Sequence, residues 1–157
     1  MVRIRKANKS DIDVAWDIRK ESIKAECVEY YPNEVIEPWL NGSLPEGFAS
    51  ELESNFYVAL QDEEIIGLGA LSYSENKIYA IFVKPEFMGK GIGKQIMAFL
   101  EALAVESNIT TVYLDSTLNA APFYRSLGYV GDTVIKYNNP RGFVMDCVEM
   151  QKVLPAL

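Results

Sequence analysis

Hydrophobic and polar positions recur with two different periods along the chain, and these periods divide it into strands and helices. Stretches that alternate or run apolar over strand length, bounded by Gly, Pro or acidic turns, predict strands. They are residues 2–7, 56–60, 65–71, 78–83, 111–115, 129–137 and 143–153. Apolar residues spaced three to four positions apart predict helices. They run from Ser10 into Tyr30, from Asn33 through Leu40, from the glycines near residue 90 to Ser107, and over 120–127.

Local signals mark the start of the first helix. Ser10 followed by Asp13 resembles a capping box, in which Asp replaces the usual Glu or Gln. Val14, Ile18 and Ala25 can then share one face of the helix. These residues predict an amphipathic helix that packs on the sheet through that face.

The order of the elements indicates the fold class. A strand, two helices, three strands, a helix, a strand, a helix and two strands follow one another without a repeat or a linker. The hairpins favour antiparallel pairing, whereas the strand, crossover helix and strand between residues 78 and 115 predict one parallel pair. We therefore expect a single α+β domain over residues 1–157, with a mixed, largely antiparallel sheet of about seven strands and helices on both faces.

A glycine-rich turn joins the fourth strand to the long helix. Gly89, Gly91 and Gly93 fall within five residues, and glycine is entropically costly to order. Such a turn suits a site where bare backbone approaches a ligand, because the unpaired amides of a helix N-terminus attract anions. Lys90 and Lys94 add positive charge. The turn predicts a diphosphate site, although an ordinary strand-to-helix connection is the alternative interpretation.

Spacing narrows the choice of ligand. A Walker loop needs Ser or Thr after Lys94, where Gln95 stands, and a dinucleotide fingerprint needs glycine at position 94 itself. By contrast, Val83-Lys84-Pro85 followed by Gly91-Ile92-Gly93 closely resembles the coenzyme A loop of the GNAT superfamily of acyl-CoA-dependent N-acyltransferases. The resemblance extends over nearly the whole chain. Met88 stands where that family usually has Gln or Arg, so we expect an altered affinity rather than a lost one.

The resemblance implies how acetyl-CoA binds as co-substrate. In the GNAT fold the strands on either side of the crossover helix splay apart, and the pantetheine arm enters the gap. Backbone groups of Ile81, Phe82 and Val83 would pair with this arm and polarise the thioester carbonyl, which favours the transition state. The implied diphosphate contacts are Met88, Gly89, Lys90, Gly91, Ile92, Gly93 and Lys94.

A second stretch, residues 119–129, also resembles a family motif, shortened by one residue before its aromatic pair. It implies that Asn119 caps the short helix and reaches the cofactor arm. It also places Tyr124 on the usual general-acid tyrosine. A phenol with a pKa of about 10 stays protonated at neutral pH and can donate to the departing thiolate. Because the chain has nine tyrosines, a core role for Tyr124 is the alternative.

The amine acceptor must lose a proton before it attacks, yet the strand that holds a glutamate in many relatives contains no acid here. The base is therefore unassigned among Tyr79, Cys27, Asp115 and Glu26. Cys27 is disfavoured as an acyl carrier because the chain has no histidine to activate it. The resemblance implies an acceptor site between the first two helices and the late hairpin. Its candidate residues are Glu26, Cys27, Tyr30, Tyr31, Tyr79 and Asp115.

Composition limits the classes of partner. Twenty-two acidic residues against 15 Lys plus Arg give a net charge of −7, which disfavours nonspecific nucleic-acid binding and is compatible with a cationic substrate. Neither a signal peptide nor a membrane-spanning apolar run is present, so we expect a cytoplasmic protein without a membrane partner. No histidine and only two cysteines at unrelated positions predict that no metal is bound.

The sequence therefore predicts an acetyl-CoA-dependent N-acetyltransferase that acts on a primary amine of a small molecule, peptide or protein. Transfer is expected to be direct, in a ternary complex, by a monomer or a homodimer. Two other classes remain as alternatives. One is a non-catalytic acyl-CoA-binding module, favoured by Met88 and the missing strand acid. The other is a nucleotide-binding oxidoreductase with Asp115 on the ribose, which the glycine spacing disfavours.

Overall fold

Seven strands, numbered β1 to β7 along the chain, form one sheet in the computed structural model, which describes residues 1–156. They are β1 Arg3–Lys6, β2 Phe56–Gln61, β3 Glu64–Ser72, β4 Lys77–Val83, β5 Thr111–Thr117, β6 Val130–Asn139 and β7 Phe143–Val153. Their order across the sheet is β1-β2-β3-β4-β5-β7-β6. Only β4 and β5 pair in parallel among these neighbours. The predicted α+β fold with a mixed, largely antiparallel sheet is confirmed.

Helices cover both faces of this sheet. They are α1 Ile12–Glu26, α2 Asn33–Leu40, α3 Phe48–Asn55, α4 Ile92–Glu106 and α5 Ala121–Ser126. Because successive strand residues point to opposite faces, β2 contributes to two cores. Tyr57 and Ala59 pack with the α4 core, whereas Val58 and Leu60 pack with α1 and α3. A third cluster joins α2 to the β6–β7 hairpin.

The start of α1 differs from the prediction. The capping box is formed by Asn8 and Asp11, in a short 3₁₀ turn before the helix, rather than by Ser10 and Asp13. Arg5 holds Asp11 there, with Nη1 2.8 Å from the carboxylate. The cap therefore belongs to a turn tied to β1, a tertiary contact that local spacing does not indicate.

The buried face of α1 is also rotated from the predicted one. Val14 and Ala25 are exposed, and of the three predicted residues only Ile18 is buried. Consecutive helix positions differ by about 100°, so a stripe centred near Ala15 and Ser22 leaves Val14 and Ala25 roughly 100–120° from its centre, toward solvent. The residues of α1 that are buried are Ala15, Trp16, Ile18, Ser22 and Ile23.

The helix α3 was not predicted. Phe48 and Leu52, one turn apart, are its only large apolar residues, which is too short a pattern to establish a helical period. Leu52 is completely buried against β2 and β3. Gly47, at φ 86°, precedes the helix and allows the chain to turn sharply out of the loop.

The parallel pair β4–β5 opens after a single contact. Lys77 is paired with Tyr113, and the Tyr113 N–H donates to the Asn76 carbonyl at 2.9 Å. Beyond this point the two strands diverge. The edge of β4 that faces β5 therefore has no strand partner from residue 78 onward. The divergence predicted from the resemblance is present.

A bulge in β4 accompanies the divergence. Ala70 pairs with Tyr79 and Leu68 with Phe82, so two residues of β4, Ala80 and Ile81, lie opposite one residue of β3. Ala80 has φ 54°, a left-handed conformation that non-glycine residues rarely adopt. Bulges bend a strand and increase its twist, which turns the end of β4 away from β5.

Tyr31 explains why α1 ends at Glu26 rather than near Tyr30. Its hydroxyl donates to the Asp146 carbonyl at 2.6 Å and accepts from the Leu118 N–H at 2.9 Å. The chain must leave the helix in order to insert this ring, which is 7% exposed, between β7 and the end of β5.

Within residues 1–156, no helix is both long enough and apolar enough to cross a bilayer.

Replacing Tyr31 tests this role. Tyr31→Phe leaves the Asp146 carbonyl and the Leu118 N–H unpaired, so we expect a loss of about 1–3 kcal/mol in the free energy of unfolding. Urea unfolding followed by fluorescence measures it. The matched control is Tyr30→Phe, at a ring that is 54% exposed, with an expected change below about 0.5 kcal/mol. Equal stability of the two variants would contradict the assignment.

Candidate functional site

A cleft of about 730 Å³ opens where β4 and β5 diverge. Its walls come from α1, α2, α3, the divergent strands, the segment around α5 and the β6–β7 hairpin. Eight of the residues predicted from sequence line it. They are Glu26, Cys27, Tyr79, Ile81, Phe82, Asp115, Asn119 and Tyr124. The structure thus brings the implied pantetheine strand, the implied acid and most of the implied acceptor residues to one place.

Three other predicted residues lie elsewhere. Tyr30 projects outward from the turn after α1, and Tyr31 is engaged with backbone groups. Val83 is half-buried against the α4 core, at the far end of β4. The geometry therefore does not support Tyr30 and Tyr31 as acceptor contacts, and any cofactor contact of Val83 lies outside the cleft itself.

The glycine turn has the conformation expected of an anion site. Gly89 and Gly91 have φ of 76° and 82°, and a Cβ on either would meet nothing within 4 Å. The backbone is thus open to solvent at both positions. Gly91 is the N-cap of α4, and no side chain caps the helix. The first-turn N–H groups are therefore available to an anion, with the exposed Lys90 and Lys94 beside them.

Gly93 connects this turn to α5. A Cβ at Gly93 would lie 3.2 Å from Cζ of Phe123, so the Phe123 ring packs directly on the first turn of α4. The ring centroids of Phe123 and Tyr124 are 5.1 Å apart, and those of Tyr124 and Tyr129 are 6.0 Å apart. The position of Tyr124 is thus tied to the helix start that carries the glycines.

Tyr124 is a neutral hydrogen-bond donor at physiological pH. Burial, and then the nearby charge of Glu26, raise the pKa of Tyr124 well above its usual value of about 10. The ring is half-buried and borders the cleft. A protonated phenol beside a group that gains negative charge can donate a hydrogen bond or a proton to it.

Cys27 and Asn119 form a pair in the wall of the cleft. The Cys27 thiol, 5% exposed, donates to Asn119 Oδ1 at 3.5 Å. Burial, and then the charge of Glu26, raise the pKa of Cys27 to about 12, so it is a poor base and a poor nucleophile at neutral pH. The predicted helix cap by Asn119 is wrong, because Ala120 is the N-cap of α5 and no side chain caps that helix.

Two further base candidates are already engaged. Asp115 is paired with Lys77, with Oδ2 2.6 Å from Nζ. The Tyr79 hydroxyl accepts from Asn55 Nδ2 at 2.9 Å, and burial raises the pKa of Tyr79 to about 12. Neither group is a free base at neutral pH. Of the candidates from sequence, Glu26 remains as an exposed carboxylate at the mouth of the cleft.

Several other residues of the cleft were not predicted from the sequence, among them Trp16, Arg19, Glu51 and Arg141. Glu51 lies on α3, which was not predicted, and burial raises the pKa of its carboxyl. Trp16 and Arg19 are one turn apart on α1, a spacing that places them on one face. That helical spacing is the feature of the sequence that could have indicated the pair. Arg141, by contrast, reaches the site only through the β6–β7 turn.

The divergent parallel pair, the uncapped glycine turn and the cleft between them define the class of protein as an acyltransferase of the GNAT type. A family model described as "Acetyltransferase (GNAT) domain" matches residues 20–153. The chain belongs to the GNAT acetyltransferase family.

Individual relatives agree with this assignment. An uncharacterized N-acetyltransferase of Methanocaldococcus jannaschii is 31% identical over 132 residues, which cover 80% of this chain and 76% of the relative. A GCN5-related N-acetyltransferase from Rhodopseudomonas palustris has a TM-score of 0.89 at 25% identity, covering 97% of this chain and 95% of that one. The PaiA N-acetyltransferase of Thermoplasma acidophilum, solved in complex with coenzyme A, has a TM-score of 0.72 at 21% identity, covering 98% and 99%. The predicted GNAT resemblance is confirmed.

Thiol reactivity tests the environment of the cleft wall. Burial raises the pKa of both Cys27 and Cys147 to about 12, so below that pH both stay as unreactive thiols in the folded state. At pH 8 we expect each to react with Ellman's reagent at least about 10²-fold more slowly than in unfolded protein, where the pKa is about 8.5. Guanidinium should release two thiols per chain. Rapid reaction of one thiol in the folded protein would contradict the burial of that cysteine.

Proposed function

We propose that the protein transfers an acetyl group from acetyl-CoA to a primary amine, with both substrates bound at once. The observation that carries the proposal is that the unpaired edge of β4 and Tyr124 border the same cleft. Membership in the GNAT family supports acetyl transfer in general. The whole chain, residues 1–157, is proposed to act as one catalytic domain.

Acetyl-CoA would lie along the length of β4. The diphosphate binds the amides and lysines between Met88 and Lys94, where backbone groups do most of the binding and Met88 contributes little. The pantetheine amides pair with the free edge of β4, as an added strand would. Backbone N–H groups near Ile81 and Phe82 then polarise the thioester carbonyl. Asn119 borders the same cleft and can contact the arm.

The transfer itself uses few side chains. The amine nitrogen attacks the thioester carbon, and the carbonyl electrons move onto oxygen as the C–N bond forms. When that intermediate collapses, the C–S bond breaks and the sulfur leaves as a thiolate. Tyr124 donates its phenolic proton to this sulfur, and the proton that the nitrogen loses as the amide forms returns the phenolate to the phenol. Because burial keeps the pKa of Tyr124 high, the proton is present whenever the thiolate departs.

Glu26 is the proposed base for the amine. The acceptor arrives as an ammonium and must lose a proton before it can attack, so a carboxylate near the reacting atoms is required. Glu26 lies at the C-terminal end of α1 and is close enough to raise the pKa of both Tyr124 and Cys27. Its competitors Asp115 and Tyr79 are held by Lys77 and Asn55.

The first test of the proposal is Tyr124→Phe. Release of coenzyme A thiol from acetyl-CoA is followed over a panel of polyamines, amino acids, aminoglycosides and peptides. We expect kcat to fall by about 10²-fold, while Tyr30→Phe, outside the cleft, leaves it unchanged. Since the pKa of Tyr124 is raised, the wild-type rate should not decline below pH 10 through loss of this proton.

Two results would count against this proposal. A decline of the wild-type rate near pH 9, absent in Tyr124→Phe, would contradict the protonated phenol. If acetyl-CoA raises Tm but no amine in the panel elicits thiol release, the non-catalytic acyl-CoA-binding module becomes the better assignment.

The second test removes the base. Glu26→Gln should lower kcat/KM by about 10²-fold at pH 7, because the amine must then lose its proton to bulk water. The deficit should shrink as pH rises toward the pKa of the amine, giving a log–log slope near one. The matched control is Glu29→Gln, because Glu29 is an exposed acid three residues further along the chain that does not line the cleft. A constant deficit across pH would indicate that Glu26 only binds the acceptor.

A further inference from the structure

Two arginines share one tryptophan at the α2 end of the cleft. The Cζ atoms of Arg19 and Arg141 lie 4.5 Å and 5.5 Å from the ring centroid of Trp16. Both arginines line the cleft, and neither takes part in any ion pair within residues 1–156. The chain carries 22 acidic residues, so two adjacent guanidinium groups without a carboxylate are unusual here.

Neutral carbonyls hold these arginines in place. Arg19 Nη2 donates to the Trp39 carbonyl at 2.8 Å, and Arg141 Nε donates to the Pro38 carbonyl at 3.1 Å. Arg141 Nη2 donates to the Asn41 carbonyl at 2.8 Å, and Nη1 and Nη2 both lie 3.5 Å from the Ser43 carbonyl, which accepts from them. These acceptors lie at or just after the C-terminal end of α2, where the helix dipole attracts cations. The contacts fix both side chains but leave their charges without an anion.

Arg19, unlike Arg141, has a guanidinium nitrogen without a hydrogen-bond acceptor in the described part of the chain. Its Nη1 is buried and donates to no acceptor within residues 1–156. Burial, and then the charge of Arg141, lower the pKa of Arg19 to about 10, so it is still a cation at neutral pH. A buried, incompletely paired cation beside a second one is unfavourable unless an anion joins them. A carboxylate is the group whose two oxygens match the guanidinium fork.

Arg19 lies on a face of α1 whose C-terminal end carries Glu26, the proposed base. Glu26 lies seven residues after Arg19 on α1, which is two turns and therefore nearly the same face. The two positions are about 10 Å apart along the helix axis. Both side chains border the cleft. An acceptor lying along α1 would thus have its amine at Glu26 and Tyr124 and its other end at the arginines.

We propose that the acceptor carries a carboxylate about 10 Å from the reacting nitrogen, and that Arg19 and Arg141 bind it. This inference rests on the proposed function, whose acceptor it specifies. An α-amino acid is too short, because its two groups flank one carbon. A long ω-amino acid matches the span, as does an extended peptide of about three residues, at roughly 3.3–3.6 Å per residue, with a free C-terminus. The cleft therefore selects a long ω-amino acid or a short peptide rather than an α-amino acid or a polyamine.

The test uses the full-length protein with acetyl-CoA and a series of ω-amino acids from glycine to 8-aminooctanoate. Each compound is paired with its primary amide, which keeps the amine and removes the negative charge. We expect kcat/KM to rise with chain length and to exceed that of the amide by at least about tenfold for the longest member. Equal values for acids and amides, or a preference for glycine, would overturn the inference.

Substitutions test whether the arginines cause the preference for the acid over its amide. In Arg19→Gln the ratio of acid to amide should fall toward one, through KM rather than kcat. Arg19→Lys should restore part of it, because the charge returns without the planar fork. Arg3→Gln makes the same change away from the cleft, at an exposed arginine of β1 that pairs with Glu63, and should keep the ratio. An unchanged ratio in Arg19→Gln would overturn the assignment.

A binding measurement separates this inference from the proposed function. In the presence of coenzyme A, 8-aminooctanoate should raise Tm more than its amide does, and the difference should disappear in Arg19→Gln. If this holds while no thiol is released, the carboxylate site stands and the catalytic proposal fails. If thiol is released with no acid preference, the catalytic proposal stands and the carboxylate site fails. A loss of coenzyme A affinity in Arg19→Gln would assign the arginine to the cofactor and overturn the inference.

Discussion

The site depends on the absence of strand pairing between β4 and β5 along most of their length. After a single pair, Lys77 with Tyr113, the strands separate, and the backbone of β4 keeps one hydrogen-bonding edge free inside the protein. An unpaired strand edge is ordinarily a liability, because it invites other chains to pair with it. Here residues of α1, α5 and the β6–β7 hairpin line the cleft beside it, so the free edge borders a cavity rather than another strand.

Burial acts on the titratable groups of the cleft in one direction. It raises the pKa of Tyr124, Tyr79 and Cys27, and so keeps all three in their protonated, uncharged forms at neutral pH. The cleft is nevertheless lined by charged side chains, among them Glu26, Glu51, the Asp115–Lys77 ion pair and the two arginines Arg19 and Arg141. Burial thus leaves the two phenols and the thiol as uncharged groups among these charges.

The sequence predicted those features of the fold and the site that depend on local patterns of residues. The strands and the glycine turn can be predicted because the apolar period and the glycine spacing are properties of residues that are neighbours in the sequence. The short helix α3 has too few apolar residues to show a period. The capping role of Asn119 failed because Cys27, far away in sequence, takes its side-chain oxygen. Arg141 joins the site through a turn between two strands, so only the folded sheet brings it to Trp16. Such features depend on tertiary contacts that a local pattern does not contain.

The contact between Gly93 and Phe123 links the glycine turn to the tyrosine proposed as the acid. A diphosphate bound at the turn, as proposed, would restrain the first turn of α4, and that restraint would pass through one aromatic ring to Tyr124. Linkage makes the effect mutual, so a well-placed acid also favours the occupied turn. Binding energy gained far from the reacting carbon would thus serve to orient the proposed acid. A short acetyl thioester without a nucleotide would reach the same strand and yet meet a less firmly held tyrosine.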